Sequence, residues 1–266
     1  MPDLPCRDAI LDLLSQPTMW GPIGVVDVTG STNADLAAMA RSGAAEGTVL
    51  VAGEQTSGRG RRDRSWASPP GSSVAISVLL CPQVPAASWG WLSLLAGYAV
   101  AESIRGLSDR PERVGLKWPN DVLVDGNKVC GILAELVGTK AGPAAVVGIG
   151  INLIQAGHEL PVPSATSLRL AGIPSDPNRV VAAVLTTLQA EYRRWVSQPA
   201  GFRARYEAAC TSLGAELRII VDDGEVAGIG RGVDVDGRLV ISTVGGPRAF
   251  AVGDVVHARL TGMPHR

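Results

Sequence analysis

A short loop rich in glycine and arginine is the segment best suited to chemistry on an anion. Residues 58–64 hold four arginines, at positions 59, 61, 62 and 64. Glycine lets a backbone approach a ligand and expose its N–H groups, and arginine makes charge-assisted contacts with phosphate or carboxylate. We interpret the loop as an anion site that closes over its ligand. Taken alone, a solvated basic loop explains it equally well.

A second polar string, residues 117–121, reads Lys-Trp-Pro-Asn-Asp. A lysine neutralises phosphate charge, and an aspartate beside an asparagine supplies the oxygen ligands that Mg²⁺ prefers. Lys128 follows just beyond the turn Asp125-Gly126-Asn127, on a strand that would return it towards Asn120 and Asp121. We therefore expect one site from both stretches, although a buried tryptophan in a simple connection would produce the same string.

Several well-known types of site do not match the pattern of this sequence. The Walker pattern has no match, and the dinucleotide pattern would need a third glycine at Asp63. The four cysteines are far apart, and none of the three histidines lies near a second plausible ligand, which argues against a zinc site or a disulfide framework. A Cys–His catalytic pair stays open, with Cys81 and Cys130 in apolar runs where inert buried thiols are common.

The elements that would position these segments follow from apolar patterning. Ser31, Thr32 and Asn33 precede a helical run, so one of them is expected to cap a helix. The middle of the chain predicts an antiparallel meander, because Asp-Gly between apolar runs favours a hairpin. Strands are predicted at residues 49–52, 74–80, 122–124, 128–137 and 144–153, and helices at residues 7–14, 88–107, 177–196 and 202–210.

The composition changes near residue 213, and two domains are expected. From residue 216 onward short apolar runs alternate with turns, which predicts strands at residues 217–221, 225–235, 239–243 and within 250–260. Hairpins of this kind suggest a small barrel. We therefore predict a domain of residues 1–212 and a second of residues 213–266.

The composition argues against a secreted or membrane-spanning protein and gives no sign of nucleic-acid binding. The chain has 266 residues and a net charge of −1, so no overall positive field indicates nucleic acid. Its start carries acidic residues where a secretory signal needs a basic flank. Residues 65–101 lack charge, but four prolines break them into pieces shorter than the roughly 18 apolar residues of a membrane span. We expect a cytoplasmic protein without a membrane partner.

Six segments, taken together and in order, resemble the biotin protein ligases, the enzymes that attach biotin to acetyl-CoA carboxylase and related carriers. The resemblance runs from about residue 25 to residue 260. Its segments are Ser31-Thr32-Asn33, Gln55 with Gly58-Arg59-Gly60-Arg61, Arg64-x-Trp66-x-Ser68-Pro69-x-Gly71, residues 117–121, Lys128-x-x-Gly131-Ile132-Leu133 and Gly148-x-Gly150-Ile151-Asn152. It implies an α+β fold, with a mixed, largely antiparallel sheet flanked by helices, of the class II synthetase-like type, and an SH3-like C-terminal barrel.

The resemblance also implies a role for each candidate residue. Arg61 and Lys128 would be catalytic, and a biotin pocket would consist of Ser31, Thr32, Asn33, Gln55, Arg59, Gly60, Arg61 and Lys128. The nucleotide would contact Arg64, Trp66, Lys117, Asn120, Asp121 and, at the adenine, Asn152. Asp121 would also hold Mg²⁺ and is the candidate general base.

The implied substrates are biotin and ATP with Mg²⁺. Biotin would attack the α-phosphorus to form biotinyl-5′-AMP, and a lysine of a biotin carboxyl carrier domain would then displace AMP. Because the barrier is mainly anion meeting anion, preorganised arginine, lysine and Mg²⁺ suit this reaction. A loop that orders over the adenylate would also exclude water.

Two features depart from the family pattern. Asp63 stands where glycine is common, so loop closure is expected to differ. Only thirty residues precede Ser31, whereas a winged helix-turn-helix needs about sixty, so a monofunctional ligase that binds no DNA is expected. It would be a monomer or a weak homodimer formed by sheet extension. A lipoate ligase is the nearest alternative, and a nucleic-acid-binding module using the arginine loop with Trp66 is a more distant one.

Overall fold

Two β-sheets with flanking helices make up the described part of the chain. The structure is a computed structural model that describes residues 4–62, 64–221, 224–251 and 253–257. The helices are α1 (Arg7–Leu13), α2 (Thr32–Arg41), α3 (Trp91–Leu107), α4 (Pro177–Ser197) and α5 (Pro199–Ala209). The strands of the larger sheet are β1 (Ile23–Thr29), β2 (Val49–Gln55), β3 (Ser73–Leu80), β4 (Val114–Lys117), β5 (Asp121–Val124), β6 (Asn127–Thr139) and β7 (Gly142–Asn152).

The larger sheet is mixed, with the strand order β1-β2-β3-β7-β6-β5-β4. Only β1 and β2 pair in parallel, and every other neighbouring pair is antiparallel. The predicted meander is confirmed as β5, β6 and β7. Asp125 and Gly126 turn the chain between β5 and β6, both with positive φ (48° and 76°), a conformation that glycine and aspartate tolerate.

The uncharged stretch of the sequence forms the centre of the core. All eight residues of β3 are buried, and α3 buries most of its length, including Leu95, Ala99 and Ile104. Helix α4 packs beside α3 and buries Leu185, Leu188 and Trp195. Within the described residues, no helix combines the length and the apolar character that crossing a bilayer requires.

The capping prediction for the start of α2 is confirmed. Ser31 is its N-cap, and the Ser31 side chain accepts a hydrogen bond from the backbone N–H of Ala34. This satisfies one of the backbone donors left without a partner at a helix start. Leu36 and Ala40 on the same helix are buried against the larger sheet. The cap therefore places Thr32 and Asn33 in the first turn, facing the sheet.

A second, antiparallel sheet follows α5. Its order is β11-β10-β9-β8-β12, from the strands β8 (Glu216–Val221), β9 (Gly224–Val233), β10 (Leu239–Thr243), β11 (Gly246–Phe250) and β12 (Asp254–His257). Two tryptophans of the larger unit hydrogen-bond to its turns: Trp91 Nε1 donates to Val235 O (2.8 Å) and Trp118 Nε1 to Gly237 O (3.1 Å). The predicted fold class is confirmed, and the second sheet is consistent with an SH3-like barrel. The division at residue 212 stays a prediction.

Three of the described strands, β1, β4 and β11, were not predicted from the sequence. β1 is only partly buried and contains a glycine, so its apolar pattern is weak. β4 has four residues, which is too short for a periodic signal. β11 begins at Gly246, contains Pro247 and is mostly exposed, so its sequence is typical of a turn. The end of the last predicted strand, residues 258–260, lies outside the described residues.

Candidate functional site

One cavity of about 500 Å³ gathers the residues singled out in the sequence. It lies where the start of α2, the end of β2, the Gly-Arg loop and strands β4 to β7 meet. The candidate residues that line it are Ser31, Thr32, Asn33, Gln55, Arg59, Gly60, Arg61, Arg64, Trp66, Lys117, Asn120, Asp121, Lys128 and Asn152. Every candidate site residue is thus at this cavity; Asp63 lies outside the described residues.

Polar groups form one end of the cavity. Gln55 Oε1 accepts hydrogen bonds from the backbone N–H of Thr32 (2.9 Å) and from its hydroxyl (3.0 Å). Ser77, on buried β3, extends this network, because its Oγ lies 2.8 Å from Thr32 Oγ1 and 2.6 Å from Asn33 Oδ1. Sequence reasoning missed Ser77, since a single serine inside an apolar strand carries no distinctive pattern.

The amide of Asn33 is held by the protein itself. Its Nδ2 donates to Leu133 O (3.1 Å) and to Glu135 Oε2 (2.8 Å), which uses both amide hydrogens. Gly148 leaves room for this side chain, because a Cβ there would lie 2.3 Å from Asn33 Oδ1. Asn33 therefore lines the pocket in a fixed orientation. Glu135 is a second residue that the sequence did not indicate.

The Gly-Arg loop is folded on itself. Gly60 N donates to Arg64 O (2.6 Å), and Trp66 N donates to Gly58 O (2.8 Å). Gly58 cannot carry a side chain here, since a Cβ would lie 2.4 Å from the carbonyl oxygen of Trp66. These bonds make the loop a short hairpin.

Three arginines of the loop contact three different parts of the protein. Arg59 Nη2 pairs with Glu135 Oε2 on β6 (3.0 Å). Arg61 Nη1 donates to Asn120 Oδ1 (3.4 Å), which joins the loop to residues 117–121. Arg62 Nη1 donates to the carbonyl oxygen of Ile220 on β8 (3.1 Å). Ile220, Val255 and Val256 of the second sheet also line the cavity.

A lysine, a carboxylate and an indole meet beside the loop. Lys128 Nζ lies 2.5 Å from Asp121 Oδ1 and 5.9 Å from the centre of the Trp66 ring. The ring packs over Gly150, where a Cβ would come within 2.6 Å of it. The glycines at positions 148 and 150 are thus explained by the close approach of Asn33 and Trp66.

Two asparagines of the cavity have their amides engaged by the protein. Asn120 Nδ2 donates to Ile132 O (2.9 Å). Asn152 Nδ2 donates to Thr166 O (2.9 Å), and Asn152 Oδ1 accepts from Gln155 Nε2 (3.0 Å). Both side chains are therefore held in one orientation. The predicted contact between Asn152 and adenine stays a prediction.

The cavity has few side chains that could serve as ligands for a metal ion bound by the protein alone. Among the residues that the structure describes, no cluster of three or more His, Cys, Asp or Glu is arranged to hold a metal ion. Asp121 is the one carboxylate among the described residues that line the cavity, and its Oδ1 pairs with Lys128. Mg²⁺ commonly keeps several waters and binds through one or two carboxylates plus substrate phosphates. The residues therefore suit Mg²⁺ that arrives on a nucleotide.

Cysteine chemistry is not supported at this site. Cys130 lies on β6, and its complete burial raises the pKa of its thiol far above the usual range. Burial also raises the pKa of Cys210. Because the thiolate is the nucleophilic form, these two thiols are inert at neutral pH.

Comparison with known proteins places the chain in a family. Residues 25–152 match the profile of the biotin/lipoate A/B protein ligase family. The chain is 41% identical over 263 residues to the biotin–[acetyl-CoA-carboxylase] ligase of Mycobacterium tuberculosis, covering 97% of each. It is 35% identical to the bifunctional ligase/repressor BirA of Escherichia coli, covering 88% of this chain and 74% of that protein. The chain belongs to the biotin/lipoate A/B protein ligase family.

A solved structure from the biotin branch of this family has the same fold. The biotin protein ligase of Aquifex aeolicus, determined in complex with biotin and ATP, superposes with a TM-score of 0.76 at 28% identity. The match covers 90% of this chain and 100% of that one. Both named relatives with high coverage are likewise ligases, and the M. tuberculosis protein is a biotin ligase by name.

Proposed function

We propose that this protein is an ATP-dependent biotin ligase. It forms biotinyl-5′-AMP from biotin and ATP and then transfers biotin to a lysine of a biotin carboxyl carrier domain of the acyl-CoA carboxylase type. The observation that carries this proposal is that a polar end around Thr32 and Gln55 and the cationic groups of Arg59, Arg61 and Lys128 line one and the same cavity. Such a cavity suits a ligand with a neutral polar head and a reacting carboxylate.

The polar end would receive the ureido ring of biotin. Thr32, Asn33 and Gln55 present fixed polar groups there, held by their contacts with one another and with Ser77. Ser31 is held by the hydrogen bond that its side chain accepts from Ala34 N. Fixed polar groups in a largely apolar pocket confer specificity, because a ligand that lacks the matching groups leaves them unpaired. Arg59, Gly60 and Arg61 would then surround the biotin carboxylate.

In the first step, a biotin carboxylate oxygen attacks the α-phosphorus of ATP. The new O–P bond gives biotinyl-5′-AMP, and the bond to the β-phosphate oxygen breaks, so that pyrophosphate leaves. Both reactants are anions, and the barrier falls where fixed positive charge meets the growing negative charge. Arg61 and Lys128 would provide that charge, with Arg64, Trp66 and Lys117 beside the nucleotide.

Mg²⁺ would enter as the ATP complex. It would offset phosphate charge, and the second carboxylate oxygen of Asp121 is the protein group suited to contact it. Asn120 would stay in place beside the phosphates, since its amide is tied to Ile132 and to Arg61. Asn152 would line the adenine side of the cavity.

In the second step, the amino group of the carrier lysine attacks the biotin carbonyl, and the bond from that carbonyl carbon to the phosphate oxygen breaks, so that AMP leaves. Asp121 is the candidate base for the proton that the amine loses. Until the carrier arrives, water must be kept from the anhydride. The Gly-Arg loop would do this, because it is tied to β6, to Asn120 and to the second sheet by three arginines.

We propose that the chain works as a domain of residues 1–212 and a second of residues 213–266, in the cytoplasm, as a monomer or weak homodimer. We propose neither DNA nor a membrane as a partner.

The test is substrate-dependent exchange of pyrophosphate into ATP. We expect exchange that depends on biotin, followed by labelling of a biotin carrier domain with biotin and ATP. A carrier domain whose acceptor lysine is replaced by arginine is the matched control and must stay unlabelled. Exchange with lipoate alone would overturn the proposal in favour of a lipoate ligase. Strong, salt-dependent binding of nucleic acid without any exchange would favour the nucleic-acid alternative.

A further inference from the structure

Glu135 lies outside the set of residues that line the cavity, yet it contacts two of them. It is on β6, opposite Val146 of β7. One carboxylate oxygen, Oε2, accepts a hydrogen bond from Asn33 Nδ2 at 2.8 Å and pairs with Arg59 Nη2 at 3.0 Å. The same atom therefore joins the first turn of α2 to the Gly-Arg loop.

The two partners differ in how firmly they are held. Asn33 is buried and has further hydrogen bonds to Leu133 and from Ser77. Arg59 is half exposed, and it belongs to a loop whose other arginine contacts reach Asn120 and Ile220. Glu135 thus connects a buried part of the cavity to a half-exposed arginine of the Gly-Arg loop.

We infer that Glu135 is a positioning residue, which holds Arg59 over the cavity and thereby keeps the Gly-Arg loop closed on the adenylate. This inference rests on the proposed function. A guanidinium that a carboxylate already holds at one N–H group loses less side-chain entropy when its other N–H groups bind an anion. The carboxylate also offsets repulsion among the four arginines of the loop.

Glu135→Gln removes the charge of this side chain and keeps an oxygen that accepts hydrogen bonds. The amide oxygen of glutamine can still accept from Asn33, whereas the charge that attracts Arg59 is gone. Glu207→Gln is the matched control. Glu207 Oε1 also receives two donors, Arg203 Nε at 3.0 Å and Val233 N at 2.8 Å, with a similar side-chain exposure (26% against 29%). Glu207 does not line the cavity.

The first measurement needs no catalysis. Trypsin cleaves after arginine, so the rate of cleavage within residues 58–64 of the unliganded protein reports how often the loop opens. We expect Glu135→Gln to raise this rate about threefold to fivefold, the effect of one partly exposed ion pair, and Glu207→Gln to leave it unchanged. Equal rates in Glu135→Gln and the wild type would overturn the inference.

The second measurement is the release of biotinyl-AMP. Glu135→Gln should release it about threefold to fivefold faster, and Arg59→Ala should make release insensitive to the change at Glu135. If Glu135 instead competed with the ligand for Arg59, release would become slower, which would also overturn the inference. Should Glu135→Gln fail to fold, Glu135→Asp keeps the charge with a shorter reach and is expected to give a smaller increase in both rates; wild-type rates in that variant would contradict the role.

The two measurements separate the inference from the proposed function. If the wild type shows no biotin-dependent exchange, the proposed function fails, while the trypsin result still tests whether Glu135 holds the loop. If exchange is normal and neither rate responds to Glu135→Gln, the function stands and the positioning role fails.

Discussion

Lys128 Nζ lies 2.5 Å from Asp121 Oδ1, across the antiparallel pair β5 and β6. The backbone of Lys128 is fixed as well, since its N–H donates to Ser164 O and its carbonyl accepts from Thr166 N, both at 2.8 Å. The ammonium is therefore held beside the Trp66 ring before any ligand binds. A charge positioned in advance needs no reorganisation when negative charge grows nearby.

Lys128→Ala should lower biotin-dependent pyrophosphate exchange by about a hundredfold to a thousandfold, because a preorganised charge at the reacting oxygens is lost. The variant should keep its fold, and its free energy of unfolding should fall by no more than about 2 kcal/mol. Exchange kinetics and thermal unfolding measure the two effects. Lys140→Ala, at an exposed position in the turn after β6, is the control. Wild-type exchange in Lys128→Ala would refute the catalytic role.

Arg61→Ala should release biotinyl-AMP about tenfold faster, because a charged hydrogen-bonding group that contacts Asn120 and lines the cavity is removed. A chase of labelled adenylate from the purified enzyme measures the rate. Arg179→Ala, at an exposed position on α4, serves as the control and should retain the wild-type rate. An unchanged rate in Arg61→Ala would show that this arginine does not hold the adenylate.

Gly150→Ala should displace the Trp66 ring, because the added Cβ would lie 2.6 Å from it. We expect an altered tryptophan emission spectrum, a Kd for ATP raised about tenfold and an unfolding free energy lower by about 1–3 kcal/mol. Gly138→Ala is a control on the neighbouring strand, where no atom lies within 4 Å of an added Cβ. If both variants bound ATP alike, Trp66 would have no part in the nucleotide site.

Acid should weaken one ion pair between the turn after β5 and the segment before β4. The side chain of Arg113 hydrogen-bonds to Asp125 and holds the pKa of that carboxyl below its usual range. Since the folded-state pKa is the lower one, the stabilisation is present above the pKa of an unfolded aspartate, about 3.9, and is lost as pH falls through the folded-state pKa. Asp125→Asn keeps a residue that tolerates the positive φ of 48°.

Urea unfolding of the wild type and Asp125→Asn at pH 7 and below pH 4 measures this effect. We expect the variant to be less stable at pH 7, and the difference between the two proteins to shrink in acid. A difference that is constant over this range would mean that the ion pair does not contribute through its charge.

Much of the site could be predicted because its residues stand close together in the chain. The Gly-Arg loop, the string at residues 117–121 and Lys128 are short patterns whose chemistry depends on residue type. The turn at Asp125 and Gly126 brings Lys128 back to Asp121, so a local hairpin signal was enough to join them. The long apolar runs of β3 and α3 predicted the core for a similar reason.

The remaining parts depended on contacts between distant segments, which only the tertiary structure decided. Ser77 and Glu135 reach Asn33 because β3 and β6 pack beneath α2, and nothing local distinguishes them from other serines and glutamates. Arg62 and Ile220 meet although they are 158 positions apart. The sequence by itself thus determined which groups could bind an anion. The packing of α2, the loop and the second sheet against one cavity decided their partners, because strand pairing and burial, rather than residue type, select among chemically equivalent side chains.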